Sequence, residues 1–337
     1  MNYFEYDHPF ELEGGEILPG ITIAYHVYGQ LNADRSNVVW VCHALTANSD
    51  VARWWPGVVG EKGPINPDRY FIVCANILGS CYGSTGPLSE DPGTGAPYYG
   101  RFPVVTIRDM VRAHILLRKH LGIDRIHLLM GGSMGGYQAL EWSVMEKELI
   151  DRLFLIATSP AESAWGIAVH TAQRLAIEAD PTWRSPAPEA GSNGLKAARA
   201  IGILTYRNYG IMVQQQTDPD KEKLDGFKAS SYIIYQGEKL ANRFSAYSYW
   251  LLTKSMDSHQ LARGRGGSLE AVLAGIEQRA LLVGVTSDIL CPVEEQRFMV
   301  VHLPNAVLVE IDSAYGHDGF MVEGNKIATL LGEWLMR

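Results

Sequence analysis

Ser133 stands in Gly131-Gly132-Ser133-Met134-Gly135-Gly136, between an apolar run, Ile126 to Met130, and a helical pattern carrying Ala139, Leu140 and Trp142. Strand, sharp glycine turn and helix form the setting in which a serine side chain is pushed into the open at a helix N-terminus, because glycines let the backbone bend where a Cβ would clash. Glycine makes up 34 of the 337 residues, so the bare G-x-S-x-G pattern carries little by itself, and its flanks give it weight. The chemistry it points to is nucleophilic attack on a carbonyl with formation of an acyl-serine. A serine hydroxyl does this only when a base takes its proton and a third group orients that base.

On a sheet of this kind the partners follow the serine in the order acid, then histidine, each in a loop past a strand. Of the ten histidines, His259, His302 and His317 are the candidates by position. His317 lies in the turn-rich Tyr315-Gly316-His317-Asp318-Gly319 after the last strand pattern, where the base belongs, whereas His302 reads as a helix cap. Asp288 follows the strand pattern at 280–285 and can approach the imidazole from behind. Asp312, closer to His317 in the chain, is the rival. Glu294 and Glu295 read as the start of a helix, where acidic side chains favour the dipole.

An acyl-transfer site also needs donors for the oxyanion. The N–H of Met134 is one; the second is expected from His43-Ala44-Leu45-Thr46, at the N–H of Leu45, with the His43 side chain bracing the loop. Arg207, Arg243 and Asp318 are polar candidates for substrate recognition, although each taken singly is the kind of residue that fills an ordinary surface ion pair.

These residues need a scaffold, and the chain spells out an α/β fold with a mostly parallel central sheet flanked by helices. Phe10–Glu13 and Ile21–Tyr28 read as paired strands about a Gly14-Gly15 turn. Val38–Cys42, Tyr70–Ala75, Leu153–Ala157 and Ala280–Val285 are continuous apolar runs of the length expected for strands buried on both faces. Val307–Ile311 reads as the last strand. Helical patterns at Val104–His120, after Ser133, at 269–276, at 294–301 and at 326–335 alternate with them, the rhythm of a parallel sheet. Between 160 and 268 the rhythm breaks: helical patterns occur at 164–179, 195–206 and 246–255, with no buried strand. The reading is a core of 1–159 and 269–337 carrying a helical lid, 160–268.

A net charge of −8 argues against a nucleic-acid binder. The four cysteines, Cys42, Cys74, Cys81 and Cys291, have neither zinc nor CxxC spacing, and reduced thiols in a cytoplasm fit them. No basic-then-apolar leader opens the sequence and no apolar run reaches membrane-spanning length, so neither a signal peptide nor a membrane span is expected.

Longer stretches carry a resemblance. His43-Ala-Leu-Thr46, Asp68-Arg-Tyr-Phe71, Asn76-Ile-Leu-Gly-Ser-Cys-Tyr-Gly-Ser-Thr-Gly-Pro87, Gln173-Arg-Leu-Ala-Ile177, Ala179-Asp-Pro-Thr-Trp183, Ile203-Leu-Thr-Tyr-Arg207, Ser231-Tyr-Ile-Ile-Tyr-Gln-Gly237, Arg263-Gly-Arg-Gly-Gly-Ser268 and Gly316-His-Asp318 together resemble the homoserine O-acetyltransferase family of the α/β-hydrolase fold over nearly the whole chain. The resemblance implies a ping-pong acyltransferase of methionine biosynthesis that uses acetyl-CoA as donor and L-homoserine as acceptor. It implies no permanently bound cofactor, no metal, and a homodimer. Arg207 then matches the arginine that binds the acceptor carboxylate, a group its guanidinium fork suits, and Asp318 matches the acid that receives the ammonium. The chain departs from the family pattern at Ala47-Asn48-Ser49-Asp50, at Ser245-Ala-Tyr247 and in a compact lid. Relatives using serine as acceptor or succinyl-CoA as donor stand as alternatives, since one methylene is worth only about 1–3 kcal/mol of discrimination. A simple esterase and a non-catalytic binding protein of the same fold are the readings outside the family.

Overall fold

The computed structural model describes all residues, 1–337. Its centre is one eight-stranded sheet. In chain order the strands are β1 (Asn2–Tyr6), β2 (Ile21–Tyr28), β3 (Val38–Cys42), β4 (Phe71–Ala75), β5 (Leu128–Gly132), β6 (Arg152–Ile156), β7 (Arg279–Val285) and β8 (Ala306–Ile311). Their spatial order is β1-β2-β4-β3-β5-β6-β7-β8. β1 and β2 run antiparallel to their neighbours, and β4 onward pair in parallel.

The alternation within β3 shows why these runs are apolar throughout. Val38, Trp40 and Cys42 enter the core on one face of the sheet, and Val39 and Val41 enter the core on the other. A strand covered on both sides has no position for a polar residue.

Four long helices alternate with these strands: α1 (Ile107–His120), α2 (Met134–Met145) and, further on, the helices at 293–302 and 324–335. α1 begins at Ile107 and not at Val104, because Thr106 and Asp109 close a reciprocal capping box that fixes the first turn. From β6 to β7 the chain is helical: α3 (Ala164–Glu178), α4 (Ser192–Tyr206), α5 (Tyr209–Gln216), α6 (Lys228–Ala241) and α7 (Ala246–Asp257). α4 packs against α3 and α6, and α3 against α7. No helix is long and apolar enough to cross a membrane.

The N-terminal pairing differs from the sequence expectation. Ile21–Tyr28 pairs with Asn2–Tyr6, while Phe10–Glu11 makes only a two-residue hairpin with Ile17–Leu18. β1 lies at the sheet edge, with its outer residues exposed, and so lacks the apolar signature of the central strands. The glycine- and proline-rich stretch 76–103 also contains a small hairpin, Glu90–Asp91 with Ala96–Pro97.

Candidate active site

Four loops at the carboxyl edge of the sheet converge. Ser133 follows β5 directly, with φ 54° and ψ −128°, a conformation that side-chain-bearing residues rarely adopt. The surrounding glycines make the turn possible by close approach: a Cβ on Gly135 would strike the Cys42 carbonyl, and one on Gly131 would strike the backbone of Gly135.

His317 Nε2 lies 2.8 Å from Ser133 Oγ, and His317 Nδ1 lies 2.7 Å from Asp288 Oδ2. All three residues are at least nine-tenths buried. The other oxygen of Asp288 accepts the N–H groups of Leu290 and Cys291 at 2.8 and 2.9 Å, which fixes the carboxylate in its loop. His317 sits in a short 3-10 turn, Gly316–Asp318, where the sequence suggested an irregular loop. Burial disfavours its charged form, but the Asp288 carboxylate, helped by Asp318 and Glu162, outweighs this and raises the imidazole above its ordinary value of 6.5. The serine hydroxyl is thus in contact with an imidazole whose far nitrogen is anchored on a carboxylate.

The rival acid is elsewhere. Asp312 reaches Thr286 Oγ1 at 3.4 Å and makes no contact with His317. His259 stacks on Tyr137 and bonds the Ser159 carbonyl, and burial pushes it down to about 4. His302 Nδ1 binds the Phe298 carbonyl at the end of its helix.

The loop after β3 supplies the other side of the site. The Leu45 N–H has no protein acceptor, and Met134 opens α2, where the first N–H groups of a helix lack intrahelical partners. His43 holds this loop: its Nδ1–H donates to the Ala44 carbonyl at 2.9 Å and its Nε2 accepts the Ile77 N–H at 3.2 Å. Burial pushes its imidazole down to about 4, which keeps it neutral and able to do both. Gln138 adds a bond from α2 to the His43 carbonyl. Asn76 ties the glycine-rich 76–87 stretch to Ser49 and closes it on itself by donating to the Tyr82 carbonyl. This stretch therefore buttresses the loop after β3.

Above Ser133 opens a cavity of about 650 Å³ whose wall includes Leu45, Tyr82, Ser133, Tyr206, His317 and Asp318. Arg207 is not on this wall. It stands behind Asp318, its Nε 3.1 Å from the carboxylate, with the guanidinium over the Tyr315 ring. Of the three residues singled out for substrate recognition, Arg207 and Asp318 are thus a pair, of which Asp318 alone faces the cavity. Arg243 does line it, and donates to the Thr46 carbonyl and the Tyr82 hydroxyl at 2.7 Å each. Arg53, Arg199 and Lys239 also line the wall and went unremarked in the sequence, where a lone cation on a helix looks like any solvated residue. For a metal, Asp288, Cys291 and His317 offer donor atoms within 4.8 Å of one another. Two of the three are already committed to each other, and burial raises the Cys291 thiol well above its ordinary range, so it stays protonated. A second cavity, about 510 Å³ and rich in aromatic rings such as Tyr98, Phe102 and Trp183, shares no wall residue with the one over Ser133.

A mostly parallel sheet with these loops at its carboxyl edge defines an enzyme of the α/β-hydrolase fold, and the family model described as alpha/beta hydrolase fold matches residues 37–324. A curated homoserine O-acetyltransferase of Cyclobacterium marinum is 48% identical, covering 95% of this chain and 91% of its own. The chain belongs to the homoserine O-acetyltransferase family. The crystal structure of the homoserine O-acetyltransferase from Bacillus anthracis superposes with a TM-score of 0.92 at 26% identity, covering 100% of this chain and 97% of that one. An acetylester hydrolase from Corynebacterium glutamicum shares the fold, with a TM-score of 0.88 at 22% identity and coverage of 100% and 96%.

Proposed function

We propose that this chain transfers an acetyl group from acetyl-CoA to the γ-hydroxyl of L-homoserine by way of an acetyl-Ser133 intermediate, and so serves methionine biosynthesis. Ser133 Oγ attacks the thioester carbonyl as His317 Nε2 takes its proton, and the N–H groups of Leu45 and Met134 receive the oxyanion. The proton passes to the departing thiol. Homoserine then gives its hydroxyl proton to His317 and attacks the acyl-serine, and the imidazolium returns that proton to Ser133 Oγ as the bond to the acetyl group breaks. Asp288 holds the imidazole in the tautomer that both steps require. Asp318, on the cavity wall, receives the acceptor's ammonium, and Arg207, which stands behind it over the Tyr315 ring, turns its fork past Asp318 in the bound state to take the acceptor's carboxylate. The helical segment 160–268 acts as the lid, and the protein works in the cytoplasm as a homodimer. Tyr209, Leu224, Ile234 and Tyr235, apolar or aromatic and all more than half exposed on that segment, support a partner there.

The observation that carries the reading is the 48% identity, over nearly the full length of both chains, to a curated homoserine O-acetyltransferase. The relatives' fold alone does not separate a transferase from an esterase, because esterases share it. The experiment is product partition. Purified protein with acetyl-CoA and homoserine is expected to yield O-acetylhomoserine and a mass increment of one acetyl on Ser133. Release of CoA at full speed without an acceptor, and no ester with homoserine or serine, would establish a hydrolase instead. A parallel run with succinyl-CoA and with serine separates the alternatives within the family.

A further inference from the structure

Four cations line the cavity over Ser133: Arg53, Arg199, Lys239 and Arg243. None of them forms a salt bridge, although the chain as a whole carries a net charge of −8 and most of its other buried or half-buried arginines are paired with carboxylates. The acids on the same wall are Asp50 and Asp318; the first accepts the Tyr28 hydroxyl at 2.6 Å, and the second is held by Arg207. Arg199 lies against the Tyr206 ring, part-buried and deeper in the wall, while Arg53, Lys239 and Arg243 are exposed. The cations also come from separate elements. Arg53 ends the short helix Val51–Trp54 that follows the loop after β3, and Lys239 and Arg243 lie at the end of α6.

Unpaired cations gathered from two separate parts of the chain around one opening create a local positive field in an acidic protein, a field that concentrates and orients an anionic ligand. We infer that this rim is a phosphate-docking site, with Arg53 and Lys239 together gripping the phosphate groups of the donor's thiol carrier while the acyl end reaches Ser133. The inference rests on the donor assignment made above and extends it to named residues. Arg243 has a second task, since it clamps Thr46 and Tyr82, so the test avoids it.

The test measures binding of coenzyme A and of pantetheine, which is the same thiol arm without phosphates, to the wild type and to the Arg53→Glu/Lys239→Glu double variant by calorimetry at two ionic strengths. Exposed charge pairs are individually weak, so reversing two is expected to raise the Kd for coenzyme A by about tenfold and to flatten its salt dependence. Pantetheine binding should not change. An unaltered Kd for coenzyme A, or an equal loss for both ligands, overturns the proposal. Phosphate-dependent binding by a wild type that fails to acetylate homoserine would sink the transferase reading while leaving the rim intact.

Discussion

Asp288 divides its two carboxylate oxygens between His317 and its own loop: Oδ2 lies 2.7 Å from the imidazole, and Oδ1 is occupied by the N–H groups of Leu290 and Cys291. The division makes the consequence of Asp288→Asn specific. The amide oxygen must stay on the two backbone donors, which turns the amide N–H toward His317 Nδ1 and forces the imidazole proton onto Nε2, facing Ser133. An imidazole in that tautomer cannot accept the serine proton. Transfer is expected to fall by about 10⁴-fold with the fold intact. Asp312→Asn should change the rate little. Steady-state kinetics on both variants decides the assignment, and a dead Asp312→Asn beside an active Asp288→Asn would reverse it.

The raised His317 imidazole sets the pH dependence. The base works only when neutral, so acyl-enzyme formation should rise with pH through a midpoint above the ordinary 6.5. In Asp288→Asn the largest raising influence is gone and only Asp318 and Glu162 oppose burial, so the residual activity should titrate lower. Stability runs the other way. The charged His317–Asp288 pair contributes fully below the unfolded imidazole value and is lost as pH rises through the folded one. Stopped-flow release of CoA and urea melts across pH 5.5–9, a window of about three units around the imidazole range, test the two halves separately.

Arg207→Lys removes the planar fork but keeps the charge beside Asp318. Acylation by acetyl-CoA should proceed as in the wild type, whereas kcat/KM for homoserine should drop by about 10–100-fold, because a point charge cannot bind a carboxylate bidentately. Equal losses in both half-reactions would mean that the Arg207–Asp318 pair shapes the catalytic turn itself.

Gly135→Ala inserts a methyl group against the Cys42 carbonyl. The backbone on both sides is anchored, so relief requires β3 and α2 to separate. A stability loss of about 1–3 kcal/mol is expected by denaturant melt, together with a loss of activity beyond it, since the same movement shifts the Met134 N–H away from the Leu45 loop. Activity retained at full stability would contradict the close packing described.

The central strands were legible because burial on both faces leaves continuous apolar runs, as in Val38–Cys42 and Ala280–Val285. The order of Ser133, Asp288 and His317 was legible because the connectivity of this fold orders the loops. β1 was not read, since an edge strand with exposed Asn2 and Tyr3 carries no such run. Two helices between β6 and β7, α5 and α6, were missed: α5 is short with little apolar periodicity, and α6 buries little more than Gly237 and Leu240 and turns Ile234 and Tyr235 outward. The relation of Arg207 to Asp318 belongs to three dimensions: their separation along the chain gives no hint that one stands in front of the other.

The backbone at Ser133 has a cost of its own. At φ 54° and ψ −128° a glycine is at ease and a serine is not, so Ser133→Gly should be more stable than Ser133→Ala, which keeps the Cβ and lacks the hydroxyl just the same, by about 1 kcal/mol. A lineage released from the need for this reaction would therefore gain stability by losing its serine. A side chain held in this conformation is robustness given up for a hydroxyl at the helix N-terminus.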